Sequence, residues 1–117
     1  MASMNPQISS DQVEGTDVYG PDGERIGSID RVMIEKTSGR VTYAIMTFGG
    51  FLGMGESEYP LPWGTLKYDT GLNGYVTNVT ADQVKGAPEY RATDDMWTDR
   101  EWENRVHSHY GVPPYWP

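Results

Sequence analysis

The sequence predicts a mainly β fold: a small barrel of about six short strands followed by a C-terminal amphipathic α-helix. Three stretches carry that prediction. Val41 to Phe48 is apolar on both faces, with Val41, Tyr43 and Ile45 on one side and Ala44, Met46 and Phe48 on the other, as suits a central strand covered twice. Upstream, Ile26, Ile29, Val32 and Ile34 begin at a spacing of three and end at a spacing of two. A flat strand cannot place them on one face, so a bulge or bend between Gly27 and Asp30 is expected. Downstream, Met96, Trp97, Trp102, Val106 and Tyr110 include i, i+4 spacings, which reads as one amphipathic helix over Thr93 to Tyr110.

Residues 1–12 have little apolar content and no period and read as a disordered tail. The barrel is assigned to residues 13–90, and the helix with its Pro/aromatic tail to 91–117. Asp17-Val18-Tyr19 is a short strand closed by Gly20-Pro21-Asp22-Gly23, where Pro presets φ and Asp-Gly tolerates left-handed backbone. A bent strand over Glu24 to Glu35 turns at Thr37-Ser38-Gly39 into the central strand, making Arg25 to Phe48 a long hairpin of the kind that builds small barrels.

Gly49, Gly50, Gly53 and Gly55 then form a loop that also carries Phe51, Leu52 and Met54. Pro60 and Pro62 cannot donate to a ladder, so Tyr59 to Leu61 is an edge or strand end, with Trp63 delivered onto the core as a buried residue. A helical turn at Trp63 to Leu66, a strand at Leu66 to Tyr68, a hairpin loop at Asp69 to Gly74 and a last strand at Tyr75 to Thr77 complete the barrel, which then closes. Asn78 or Thr80 caps a short helix at Ala81 to Lys85, ended by Gly86 and Pro88. In the C-terminal helix, Asp94 and Asp95 stand at the start and His107 and His109 at the end, matching the helix dipole, and Gly111 is its stop. Because that helix has its own start and stop signals, a chain cut after about Pro88 is expected to keep a folded barrel.

With 117 residues the chain fits one domain with a real core. It has no cysteine, which excludes disulfides and thiolate ligands. No apolar run approaches the ~20 residues that span a bilayer and no secretion signal opens the chain, so a soluble, cytoplasmic protein without membrane insertion is expected. Seventeen acidic against nine basic residues, a net charge of −8, repel phosphate backbones and argue against nucleic acid.

The motifs that could carry chemistry have plainer readings. The glycine loop lacks the Lys-Ser/Thr of a phosphate loop, and Glu56 and Glu58 follow it. Asp69-x-Gly71-x-Asn73-Gly74 would need a bidentate Glu where Thr80 stands, so it is a hairpin loop rather than a calcium site. His107 and His109 diverge by about 200° on a helix and cannot chelate one metal, so they are read as helix-end or solvated residues. Asp30 and Glu35 form an ordinary polar face beside Arg31 and Lys36. No nucleophile motif appears, so no catalytic residue, cofactor or metal is assigned and the chain is not expected to be an enzyme.

The order Tyr19-Gly20, Asp22-Gly23-Glu24-Arg25-Ile26-Gly27, Ser38-Gly39-Arg40-Val41, Phe48-Gly49-Gly50-Phe51-Leu52-Gly53 and Pro62-Trp63 resembles the PRC-barrel family, over about Asp17 to Pro88. The resemblance implies the small barrel shared by the cytoplasmic part of the photosynthetic reaction centre H subunit and the C-terminal domain of a bacterial ribosome-maturation factor. The resemblance is nearest to stand-alone bacterial members, since only a short tail is read before Asp17, where a membrane helix or another barrel domain would be expected in the other two. It suggests a non-catalytic adaptor or assembly module that binds protein, most of all a second copy of itself. Its rivals are an accessory of a membrane electron-transfer complex, a ribosome-assembly-type binding module and a small-molecule-binding barrel. The candidate interaction surface is Phe51, Leu52, Met54, Trp97, Trp102, Tyr110, Tyr115 and Trp116, apolar residues beyond what a small barrel can enclose.

Overall fold

The computed structural model describes residues 6–48, 57–89 and 94–116. One helical turn, α1 (Ser10–Val13), precedes six strands: β1 (Asp17–Tyr19), β2 (Arg25–Ile34), β3 (Val41–Phe48), β4 (Ser57–Pro62), β5 (Leu66–Asp69) and β6 (Gly74–Thr77). Then come α2 (Ala81–Lys85), a 3-10 turn (Asp94–Thr98) and α3 (Arg100–Tyr110). The strands form one sheet in the order β4-β3-β2-β1-β6-β5. Neighbours are antiparallel except β1 and β6, which pair in parallel through Val18 with Tyr75 and Tyr19 with Val76.

Chain connectivity forces this sheet to curl. β4 and β5 are its two opposite edges, about 24 Å apart if the six strands lay flat. Yet only Trp63–Thr65 joins them, and four residue steps reach about 14 Å at most. The sheet therefore bends into a partial barrel. The expected closure differs from what is seen, because β4 and β5 remain unpaired edges.

The bend lies where the spacing places it. The β2–β3 register slips between Ile29 and Arg31, and again between Met33 and Ile34. The first slip leaves Asp30 in a bulge, which lets Ile29 stay 1% exposed in the core. Gly27 faces Phe48 so closely that a β-carbon there would collide with the Thr47 carbonyl and the Met46 side chain.

Three expectations change. Trp63 is half-buried rather than buried, because the short link between the sheet edges holds it at the rim, edge-on to Tyr75 with ring centroids 5.4 Å apart. The C-terminal helix is divided: the Asp99 carboxylate accepts from the Glu101 and Trp102 amides and starts a new helix after the 3-10 turn. Nor is that helix a separate unit, since Trp102, Val106 and Tyr110 belong to the same hydrophobic cluster as Val18, Ile29, Tyr43, Met46 and Leu61. Other local signals hold. Thr80 caps α2 in a capping box with Gln83, and Gly111 ends α3 at φ 68°. The helical turn α1 is an addition, since it begins inside the stretch read as a disordered tail and places Val13 in the core.

Candidate interaction site at the open sheet edge

Two clusters of polar and aromatic groups stand out, one turned inward and one outward. The inner one is centred on Glu103, whose side chain is 4% exposed. Its Oε1 accepts the Tyr43 hydroxyl at 2.9 Å and the Tyr115 hydroxyl at 2.8 Å, and Arg100 lies 3.5 Å from Oε2. The Arg100 guanidinium also stacks over the Trp116 ring at 3.8 Å. One turn on, buried His107 donates from Nδ1 to the Glu103 carbonyl at 2.8 Å and meets the rings of Tyr43 and Trp116 edge-on. Burial, then the neighbouring Glu103 carboxylate, push the Tyr43 hydroxyl far above the ordinary tyrosine range.

This cluster places most of the sequence-selected aromatics. Trp102 and Tyr110 are each 7% exposed and covered by the chain itself. Trp97, Tyr115 and Trp116 are half-buried, with Trp97 and Tyr115 both against Tyr43. Phe51, Leu52 and Met54 lie outside the described residues. The reading of His107 as a solvated helix end is corrected, because it faces the sheet. His109 is exposed and donates from Nε2 to the Gln83 carbonyl at 2.6 Å, joining α3 to α2. The two histidines diverge as the helical spacing requires. Sequence reasoning missed Glu103 and Arg100, although Arg100, Glu103 and His107 share a face at i, i+3 and i+7 around the buried Trp102–Val106 stripe.

The two carboxylates of the bent strand, Asp30 and Glu35, have separate partners. Asp30 pairs with Glu58, and that hydrogen bond, then the Arg31 guanidinium at 2.8 Å, hold its carboxyl below the usual range. The bulge at Asp30 makes this possible. Glu35 instead accepts the Ser38 hydroxyl within its turn.

The outward cluster runs along β5. Trp63, Tyr75 and Tyr68 form a ladder of edge-on rings, 5.4 Å and 5.2 Å between successive centroids. With Leu66 and the Pro6–Ile8 segment they line a groove on one face of the strand. A second groove, with Lys67, Asp69 and Val76 on its wall, lies on the other. Tyr68 is 45% exposed at the strand's outer edge. The hairpin beyond it is tied down by Asp69, whose Oδ1 accepts from the Gly71 and Leu72 amides, with Asn73 left-handed at φ 51°.

The opposite edge is blunted. In the β3–β4 ladder Pro60 faces Ile45 and Pro62 faces Tyr43. A proline cannot serve in a pair that exchanges two amide hydrogen bonds, so Glu58, Pro60 and Pro62 turn their backbone outward and only Glu58 has an amide hydrogen there. β5 contains no proline. Among the described residues no strand pairs with its outer side.

Among the described residues no helix is long and apolar enough to cross a membrane, and no group of three His, Asp or Glu side chains is placed to hold a metal. An uncharacterised protein of Deinococcus radiodurans is 35% identical over 78 residues, 67% of this chain, and the chain spans 27% of that protein's length. The solved structure of RimM from Pseudomonas aeruginosa, assigned to 16S ribosomal RNA processing, is 20% identical with a TM-score of 0.44 over 68% of this chain and 48% of that one. The PRC-barrel domain model matches residues 6–84, well over half of the sequence and all six strands, so the chain belongs to the PRC-barrel family.

Proposed function

We propose that this PRC-barrel chain is a non-catalytic, cytoplasmic protein-binding module that uses the β5 edge as its contact surface and also self-associates. The observation that carries the reading is the asymmetry of the sheet edges: β4 is closed by Pro60 and Pro62, while β5 has a groove on each face and an aromatic ladder that ends in the exposed Tyr68. Main-chain pairing at such an edge supplies affinity, and grooves for alternate side chains supply selectivity. The net charge of −8 turns the surface away from nucleic acid. The Tyr43 hydroxyl, which burial pushes far above its ordinary range, is committed with its acceptor Glu103 to joining α3 to the sheet.

Site-specific photo-cross-linking tests this. A photoreactive side chain at Tyr68 should give discrete protein adducts in native lysate, while one at Asn104, exposed on α3, should not. Equal labelling at both positions, or none at Tyr68, refutes the reading.

A further inference from the structure

We infer that the partner seated on β5 is a second copy of this chain, paired antiparallel to it in a register centred on Tyr68. The inference rests on the proposed contact surface and deepens it. A two-fold axis that continues one sheet into its copy runs perpendicular to the sheet and keeps the upper face of each copy on the same side. Side chains directly opposite each other in an antiparallel pair share a face, so the axis must pass where one residue meets its own copy. β5 runs Leu66–Asp69, which leaves two registers centred inside the strand. Centring on Lys67 sets that lysine against itself. Centring on Tyr68 sets Lys67 of each copy opposite Asp69 of the other, twice, with the exposed Tyr68 rings meeting at the axis.

Charge therefore selects one register. Opposite charges in directly opposed positions stabilise an antiparallel pair, and like charges oppose it. Lys67 is exposed, and Asp69, partly exposed, commits Oδ1 to the Gly71 and Leu72 amides and offers Oδ2 to a neighbour across the edge. The same pairing joins the Trp63–Tyr75–Tyr68 ladders of the two copies into one continuous aromatic ledge. The overall repulsion between two acidic chains is screened beyond about 10 Å at 0.1 M salt, whereas the Lys67–Asp69 pairs are in contact. The strand is short, which suits a reversible dimer.

The absence of cysteine from the sequence gives a clean test. In the full chain, Tyr68→Cys should form a symmetric disulfide-linked dimer on mild oxidation. Lys67→Cys and Asp69→Cys should each cross-link poorly alone and efficiently when mixed, since each faces the other. Sedimentation should show the native chain associating, Lys67→Asp weakening the dimer about tenfold, and a mixture of Lys67→Asp with Asp69→Lys recovering it. Because Asp69→Lys also removes the acceptor for Gly71 and Leu72, Asp69→Asn provides the check, keeping that acceptor while losing the charge, and it should still weaken the dimer. A native chain that stays monomeric, a dimer indifferent to Lys67→Asp, or self-linking at Lys67→Cys as efficient as at Tyr68→Cys overturns the inference. If a Tyr68 photo-cross-linker then captures a different protein, the contact surface stands and only its occupant is wrong.

Discussion

The Tyr43 hydroxyl donates to Glu103 Oε1 at 2.9 Å, joining two residues sixty positions apart and tying the central strand to the C-terminal helix. Tyr43 is 0% exposed, and Glu103 receives a second hydroxyl from Tyr115. Hydrogen bonds to a charged acceptor in such a setting contribute about 1.5–3 kcal/mol, and removing the acceptor strands both donors. Glu103→Ala should therefore cost about 3 kcal/mol or more, and Tyr43→Phe about 2 kcal/mol. Denaturant unfolding of the single and double variants gives the coupling energy, and strictly additive losses would mean that the contact contributes nothing.

Two buried tyrosines make the fold sensitive to alkali. Burial, then the adjacent Glu103, raise Tyr43, while burial, then Tyr59, raise Tyr110. An unfolded tyrosine releases its proton near pH 10, whereas these keep theirs when folded. The folded state then binds more protons, so stability is intact below about pH 10 and falls above it by about 1.4 kcal/mol per pH unit for each tyrosine. Either Phe substitution should flatten that slope by one proton. Among the described residues the Tyr110 hydroxyl has no hydrogen-bond partner, so Tyr110→Phe should keep or raise stability at neutral pH by up to about 1 kcal/mol. A clear loss in thermal unfolding would reveal a partner.

Truncation after residue 90 should abolish cooperative unfolding. Trp102, Val106 and Tyr110 leave the core, and Tyr43 loses its acceptor. Each lost large side chain corresponds to about 3 kcal/mol or more, against a total stability of about 5–15 kcal/mol for a domain. Dispersed amide resonances from the shortened chain would show that the strands stand alone.

Gly27→Ala should destabilise the fold by about 2–3 kcal/mol, the range of an overpacked core, because the added methyl meets backbone at Thr47 rather than a movable side chain. Gly64, where a β-carbon meets nothing within 4 Å, is the control, and Gly64→Ala should be close to neutral. Equal losses at both positions would remove the crowding argument.

Legibility followed the range of the interactions. The strands, the bulge before Arg31, the capping of α2 and the edge position of Pro60 and Pro62 depend on residues within a few positions of each other, and spacing reveals them. Glu103 reads as one more helical charge, because its partner Tyr43 is supplied from sixty positions away. Trp63 looked like a core residue because a large indole after two prolines has little freedom. What leaves it at the rim is the need to link both edges of a curled sheet, a topological fact that no local pattern encodes. Asp30 found Glu58 across β3 for the same reason.

The parallel pairing of β1 with β6 also sets an order of events as the chain folds. β1 through β4 pair with their neighbours in sequence, and β5 with β6, so each group can zip through short loops. Val18 and Tyr75 stand more than fifty positions apart, so their pairing waits until the two zipped groups meet across the Trp63–Thr65 link. The folding barrier should lie at that closure, with Val18 and Tyr75 substitutions changing the refolding rate more than those in the β5–β6 turn. On the ribosome, a chain emerging N-terminus first holds β1 paired to β2 on one side only until the whole of β6 has been made. The N-terminal strand waits longest for its place.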